Sequence, residues 1–185
     1  PTDDVLVTLQ ALQFELQTQF SPEVAEHESL LEDLWRAAFD STPYVRVSPQ
    51  WQVLGFQQED PTSDLRGAGL LGLRCLVFFA QNRPSQLQVL LARQSESQAT
   101  SFPVAIAAIN ISAMVAELCG LRKPMQELST TKATFWPLLI DGNNFFEIVC
   151  VTIQAFDTMW VSTCATKEVF GEVLADMKTQ LKAAL

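Results

Sequence analysis

Residues Trp51–Leu73 read WQVLGFQQEDPTSDLRGAGLLGL, and two architectures compete for them. Gly67, Gly69 and Gly72 satisfy G-x-G-x-x-G, the spacing that lays a pyrophosphate against a helix N-terminus in dinucleotide-binding folds. That use requires a buried hydrophobic strand before the first glycine and an acidic residue about twenty positions on. The residues before Gly67 are QQEDPTSDLR, which cannot be such a strand, and no acidic residue is clearly placed downstream. The glycine spacing is therefore read as coincidental, with no nucleotide cradle. The apolar run that follows, LLGLRCLVFFA, suits a buried helix or strand by itself, but its neighbours argue for helix.

Outward from this stretch the apolar spacing is helical. Val5, Leu9, Leu12, Leu16 and Phe20 recur at three- and four-residue steps. Ser21 and Pro22 read as an N-cap and first helical residue, opening a helix with Leu30, Leu31, Leu34, Trp35, Ala38 and Phe39 on one side. Ser48 and Pro49 repeat that signal before a short helix through Trp51 and Leu54, stopped at Gly55. Pro84 opens a helix through Leu87, Leu90 and Leu91. Pro103 opens a longer one to Cys119 with Gly120 as its cap, and another helix begins near Lys123 and Pro124. After the turn at Asp141–Gly142, Phe146, Val149, Ile153, Phe156 and Trp160 continue at helical steps. The last helix, capped by Thr166, shows Val169, Phe170, Val173, Leu174, Met177, Leu181 and Leu185. No alternating strand pattern competes, so the expected fold is all-α, a single multi-helix domain.

Bulk properties narrow the function classes. The 185 residues are nearly half hydrophobic, enough for one domain with a substantial core. The net charge of −9 and the absence of a Lys/Arg run argue against phosphate-backbone binding, although bulk charge does not exclude a local basic patch; no nucleic acid partner is expected. Cys75, Cys119, Cys150 and Cys164 form no C-x-x-C pair and have apolar neighbours, which predicts buried free thiols in a reducing compartment, with a disulfide as the alternative. No signal peptide is visible, and a chain opening PTDD is compatible with an excised fragment. Ser97–Ala116 is uncharged over a membrane-spanning length. Its Gln98, Thr100, Ser101, Pro103, Asn110 and Ser112, with an alanine-rich centre, instead predict a tightly packed core helix and no transmembrane segment.

His27, the single histidine, sits between Glu26 and Glu28 and reads as a solvated surface residue. A histidine-rich metal site cannot be built, and any Ser-His-Asp or Cys-His site would need that one residue. G-x-S-x-G and G-x-x-x-x-G-K-[ST] are both absent. The residues are poorly suited to catalysis on a small molecule; no metal and no bound cofactor are expected.

Arg66 is the better lead. Asp60–Pro61 is a turn signal in which the carboxylate accepts backbone N–H groups and proline fixes φ. Ser63 and Asp64 are suited to cap the next turn in the same way. Gly67 and Gly69 permit backbone angles closed to other residues and leave no side chains in a partner's way. The product is a fixed loop with one cation near its tip. That cation could pair with Asp60 or Asp64, cap carbonyls inside the fold, or be supplied in trans to a phosphoryl group, which guanidinium binds in bidentate fashion.

The longer string discriminates further. Trp51, Gly55, Phe56, Gln57, Pro61, Asp64, Arg66, Gly67 and Gly69 fall at the positions of the signature W-x3-G-F-Q-x3-P-x-T-D-F-R-G-x-G, so the stretch resembles the ELMO (engulfment and cell motility) domain. Ser63 stands where threonine is usual and Leu65 where phenylalanine is usual; the second change could alter loop packing. HESLLEDLW, FPVAIAAINISAMVAEL and FFEIVCVTIQAFDTMW resemble further helices of that domain, so the likeness runs from about Pro22 to the C-terminus. It implies an N-terminal helix over 1–20, able to pack on a domain formed by 21–185.

The family divides by function. Its ELMO-domain-containing branch acts as GTPase-activating proteins for Arf and Arf-like small GTPases, with the motif arginine as catalytic finger. The engulfment proteins lack that arginine and serve as scaffolds for Dock-type exchange factors. Arg66 implies the first role, acting in trans on a GTP-loaded Arf-family GTPase that itself binds GTP and Mg²⁺. The alternative implied is a non-catalytic module binding a small GTPase or Dock-type factor, with Arg66 structural. In the first case Asp60, Pro61 and Asp64 hold the loop, Gly67 and Gly69 give clearance, and Ser63 and Gly55 belong to its frame. Trp51 and Phe56 pack beneath it, and Gln57 orients the loop or touches the GTPase. Localisation would be cytoplasmic, peripheral to endomembranes or cilia through the GTPase.

Overall fold

In the computed structural model, which describes residues 2–97, 99–130 and 135–184, the chain is a succession of helices with no strand among the described residues. They are α1 (Asp3–Gln17), α2 (Ala25–Ala38), α3 (Gln50–Val53), α4 (Gly69–Asn82), α5 (Pro84–Glu96), α6 (Val104–Leu118), α7 (Met125–Thr130), α8 (Asn143–Ser162) and α9 (Phe170–Ala184). Short 3-10 segments at Pro61–Gly67, Trp136–Ile140 and Lys167–Val169 join some of them. The all-α expectation is therefore correct.

The apolar run after the glycines explains the architecture. α4 buries ten of its residues, from Gly69 to Ala80, and a helix apolar nearly all round needs neighbours on most sides. It has them: α1, α2, α5, α6 and α8 all pack against α4. α6 is the second central element, and its alanines let it approach α4 and α8 closely. Cys75, Cys119 and Cys150 are buried free thiols, and burial pushes each up to about 12. Cys164 departs from expectation: it is exposed, at φ +50° in the turn after α8, where the chain leaves the core. α8 alone among the described residues is long and apolar enough to cross a membrane; its Phe145, Val149, Ile153, Phe156 and Trp160 face the core. Ser97–Ala116 is not one continuous helix, since α6 starts only at Val104.

Several local expectations shift. Pro84 and the Pro103–Gly120 boundaries stand where the sequence puts them, with Gly120 at φ +78° and Leu121 N–H donating to Ala116 O at 2.9 Å. Ser21–Pro22 does not open α2. The helix begins at Ala25: residues 22–24 form a turn, with Val24 N–H donating to Ser21 O (3.2 Å), and the Ser21 N–H donates to His27 Nδ1 (3.0 Å). His27 is thus half-buried and lies against Phe20, not free on a solvated face. At α8 the fully buried residue is Phe145, with Phe146 half-buried and stacked on Phe78. Thr166 precedes the last 3-10 turn without making a side-chain cap to the backbone, and Leu185 lies outside the described residues.

The seam between α1 and α4 bears directly on the opening motif. Leu9, Leu12 and Leu16 of α1 belong to the same apolar core as α4. At its end, Thr18 O accepts the Leu70 N–H at 3.0 Å, capping α4. Gly69 makes this approach possible. Its φ is +55°, and a Cβ there would lie 2.5 Å from Leu16 O and 2.7 Å from Thr18 O. Gly69 therefore serves the α1 contact, whereas a Cβ at Gly67 would meet nothing within 4 Å. Gly69→Ala is expected to destabilise the fold by about 2–4 kcal/mol from positive-φ strain and overpacking. Gly67→Ala should change stability by less than about 1 kcal/mol, with urea unfolding as the readout of both.

Candidate functional site

Asp60 ends the turns and bends that follow α3, itself in extended backbone, and proline at the next position has no N–H to leave unsatisfied. Asp60 Oδ1 accepts from the Thr62 N–H (3.0 Å) and the Thr62 hydroxyl (2.6 Å), closing the first turn of the Pro61–Gly67 3-10 helix. That turn points Pro61 and Leu65 inward, both buried, while Arg66 and Gly67 face solvent. Leu65 is among the largest fully buried side chains, so the shorter residue still fills its site. Below the loop, Trp51 stands edge-on to Trp35 and to Phe56, and all three are buried. Gly55 turns the chain at φ +100° close to the start of α6, where Ala105 N–H donates to Leu54 O at 3.0 Å.

Both carboxylates near Arg66 are already engaged. Asp64 Oδ2 accepts the backbone N–H of Gln57 at 2.8 Å, so Asp64 reaches back to the preceding loop and does not cap the next turn. Ser63 does not cap it either: its hydroxyl donates to Asp60 O at 3.4 Å. Gln57 has an exposed side chain, and its carbonyl accepts from Gln52 Nε2. Asp60 is taken by Arg46, whose Nη1 donates to Oδ1 at 3.0 Å and whose Nε donates to Glu28 Oε1 of α2 at 2.7 Å. The Arg46 guanidinium also lies 5.2 Å from the centre of the Phe20 ring, and its carbonyl accepts from Trp51 Nε1.

This half-buried network shifts its members in consistent directions. Burial opposes the Arg46 charge, but hydrogen bonds and attraction from Glu28 and Asp60 outweigh it and raise the pKa. Burial likewise opposes ionised Asp60, while bonds from Thr62 and Arg46 hold its carboxyl below the ordinary value. Burial, then the hydrogen bond Tyr44 donates to Glu28, raises the Tyr44 phenol.

Arg66 is left exposed. Among the described residues it has no hydrogen-bond, ion-pair or ring partner. It borders an open, polar depression of about 500 Å³ lined by Gln19, Phe20, Gln58, Asp60, Thr62 and Ser63. An enclosed apolar pocket with converging polar groups, as small-molecule sites have, is not what Arg66 borders. The site thus gathers Asp60, Pro61, Ser63, Asp64, Arg66 and Gly67 in one turn on a frame of Gly55, Trp51, Phe56 and Gln57. Sequence reasoning missed Arg46, Thr62 and Arg122, whose Nη2 donates to Gly67 O at 2.8 Å. Thr62 was signalled by the Asp-Pro-Thr string, since the second residue after Asp is the usual donor in such turns.

The ELMO/CED-12 family model matches residues 10–174, nearly the whole chain and all of the elements just described. The chain belongs to the ELMO/CED-12 family. Ankyrin repeat and ELMO domain-containing protein D of Dictyostelium discoideum is 32% identical over 167 residues, covering 89% of this chain and 13% of that protein. ELMO domain-containing protein 2 of Mus musculus is 31% identical over 138 residues, 74% of this chain and 45% of that protein. Engulfment and cell motility protein 3 of Mus musculus is 28% identical over 195 residues, 97% of this chain and 27% of that protein. The chain spans less than half the length of each relative.

The depressed Asp60 pKa gives the ELMO domain a pH signature. A group whose folded pKa is lowered contributes stability above its unfolded value, about 4, and loses it as pH falls through the folded pKa. Unfolding free energies of wild type and Asp60→Asn should therefore differ most near pH 7, begin to approach one another near about pH 4, and converge only below the lowered folded pKa. A urea-unfolding series over pH checks this.

Proposed function

We propose that this domain is a GTPase-activating module for a small GTPase of the Arf or Arf-like family, with Arg66 inserted in trans as the catalytic finger. The observation that carries the reading is that Arg66 is exposed and has no partner among the described residues. It stands on a turn held by Asp60, Thr62, Asp64 and Arg46, with both nearby carboxylates already bonded to other groups. An always-charged, bidentate donor presented this way suits a phosphate that arrives on another molecule. Membership of the ELMO/CED-12 family supports a GTPase-associated role in general, and the match to the arginine-containing motif supports the catalytic branch.

In this mechanism the GTPase holds GTP and Mg²⁺ and orients the attacking water. Water bonds to the γ-phosphorus as the bond to the β–γ bridging oxygen breaks, giving GDP and phosphate. Arg66 bonds the γ-phosphoryl and bridging oxygens as negative charge shifts toward the leaving group. Gly67, without a side chain, leaves room for the GTPase beside it. The complex would form in the cytoplasm, at whichever membrane the GTP-loaded partner occupies.

Single-turnover GTP hydrolysis by a panel of Arf-family GTPases tests this. The wild-type domain, or the longer protein that contains it, is expected to accelerate at least one by about 10³-fold or more. Arg66→Lys should abolish the acceleration while binding persists, because lysine lacks the planar fork. No stimulation of any GTPase, or an undiminished rate with Arg66→Lys, would contradict the proposal. Binding without stimulation would indicate a non-catalytic module for a small GTPase or Dock-type exchange factor.

A further inference from the structure

The arginines of this acidic chain divide into two groups. Arg36, Arg46, Arg74, Arg83 and Arg93 each bond a carboxylate: Glu32, Glu28 with Asp60, Glu15, Glu147 and Asp157. Arg66 and Arg122 bond none among the described residues, and the two are neighbours in space. Arg122 lies in the turn between α6 and α7, 56 positions beyond Arg66 in the chain, yet its Nη2 donates to the carbonyl of Gly67 at 2.8 Å. Of the two arginines without a carboxylate partner among the described residues, one thus bonds the backbone of the residue that follows the other.

The turn that carries Arg122 is itself held from two sides. Leu121 is buried, and Gly120 at φ +78° sets the chain direction after α6. Gln13 of α1 donates through Nε2 to Leu121 O (2.9 Å) and Lys123 O (2.7 Å), the carbonyls on either side of Arg122. Arg122 therefore reaches Gly67 from an anchored base. It bonds the one carbonyl directly after Arg66, at the end of a 3-10 helix where carbonyls lack helical partners. At the other end of that helix, Asp60 and Arg46 already fix the chain.

We propose that Arg122 is a positioning residue for Arg66: by holding the Gly67 carbonyl it sets the direction in which the finger leaves the loop. This rests on the GTPase-activating reading of Arg66. Arg122 acts through the Gly67–Ala68 peptide, so its removal impairs the reacting geometry more than the affinity for the GTPase. A donor at this position is required, and lysine supplies one at similar reach.

The test compares wild type, Arg122→Met and Arg122→Lys, each first shown by circular dichroism to be folded. With the GTPase·GTP complex as substrate, Arg122→Met is expected to lower kcat about tenfold with KM within about twofold, as for small misplacements of a catalytic group. Arg122→Lys should recover most of that kcat. In the free domain, hydrogen exchange at the Ala68 and Leu70 amides should quicken in Arg122→Met and not in Arg122→Lys. Unchanged kcat in Arg122→Met, a loss confined to KM, or unchanged exchange would each overturn the positioning role while wild-type activity stands. A wild type that stimulates no GTPase would instead remove the reading on which it rests, whatever the exchange shows.

Discussion

Arg46 occupies the carboxylate that Arg66 would otherwise neutralise. An exposed arginine two to six residues from Asp60 and Asp64 has every electrostatic reason to fold back on one of them. It does not: Asp60 is bonded by Thr62 and Arg46, Asp64 by the Gln57 N–H, and Arg66 has no partner among the described residues. Arg46 is in turn anchored on Glu28 of α2 and on the Phe20 ring, so the arrangement extends into the helical scaffold. Partly buried charges that bond each other at short range resist screening by salt better than exposed pairs do. The Asp60 charge behind the loop is thus paired into the scaffold, while Arg66 at the tip is exposed.

The fold supplies the rigid base for that loop. α4 is buried on most of its circumference, and its first residue is locked against the last turn of α1 through Gly69 and the Leu70 N–H. α1 also steadies the α6–α7 turn through Gln13, and that turn returns Arg122 to Gly67. α4 and α6 thus pack against the seven-residue 3-10 segment, and the α6–α7 turn reaches its last residue through Arg122. A loop tied at both ends fixes the backbone from which a side chain departs, so less of the chain remains to be ordered when that side chain meets a partner.

How much of this was legible in the sequence follows from the range of each interaction. Helix starts at Pro84 and Pro103 and the stop at Gly120 are written locally, in residues whose backbone preferences act within one turn. The failures are of longer reach. Ser21–Pro22 carries a valid start signal, but the chain makes a separate turn there, closed by Val24 N–H to Ser21 O, before α2 begins at Ala25. Gly67 and Gly69 look equivalent in the string, and only the approach of α1 separates an open glycine from an obligatory one. Asp60 announced its turn with Thr62 but not its bond to Arg46, and nothing in spacing pairs residues 14 apart outside a regular element. Arg122 sits in an unremarkable Leu-Arg-Lys-Pro string whose partner is 55 residues away. Cys164 has the apolar neighbours of a buried thiol, yet the turn that ends α8 carries it outward.

A catalytic arginine is defined by binding the transition state more tightly than the ground state. The most direct measurement is therefore the affinity of the domain for one Arf-family GTPase in three states: GDP, a non-hydrolysable GTP analogue, and GDP with aluminium fluoride and Mg²⁺. Wild type should bind the aluminium fluoride state at least about 100-fold more tightly than the GTP-analogue state, as transition-state mimics do. Arg66→Ala should lose that increment and keep the affinity for the analogue state. Equal affinity of wild type for the analogue and aluminium fluoride states, or an increment that survives Arg66→Ala, would contradict the account.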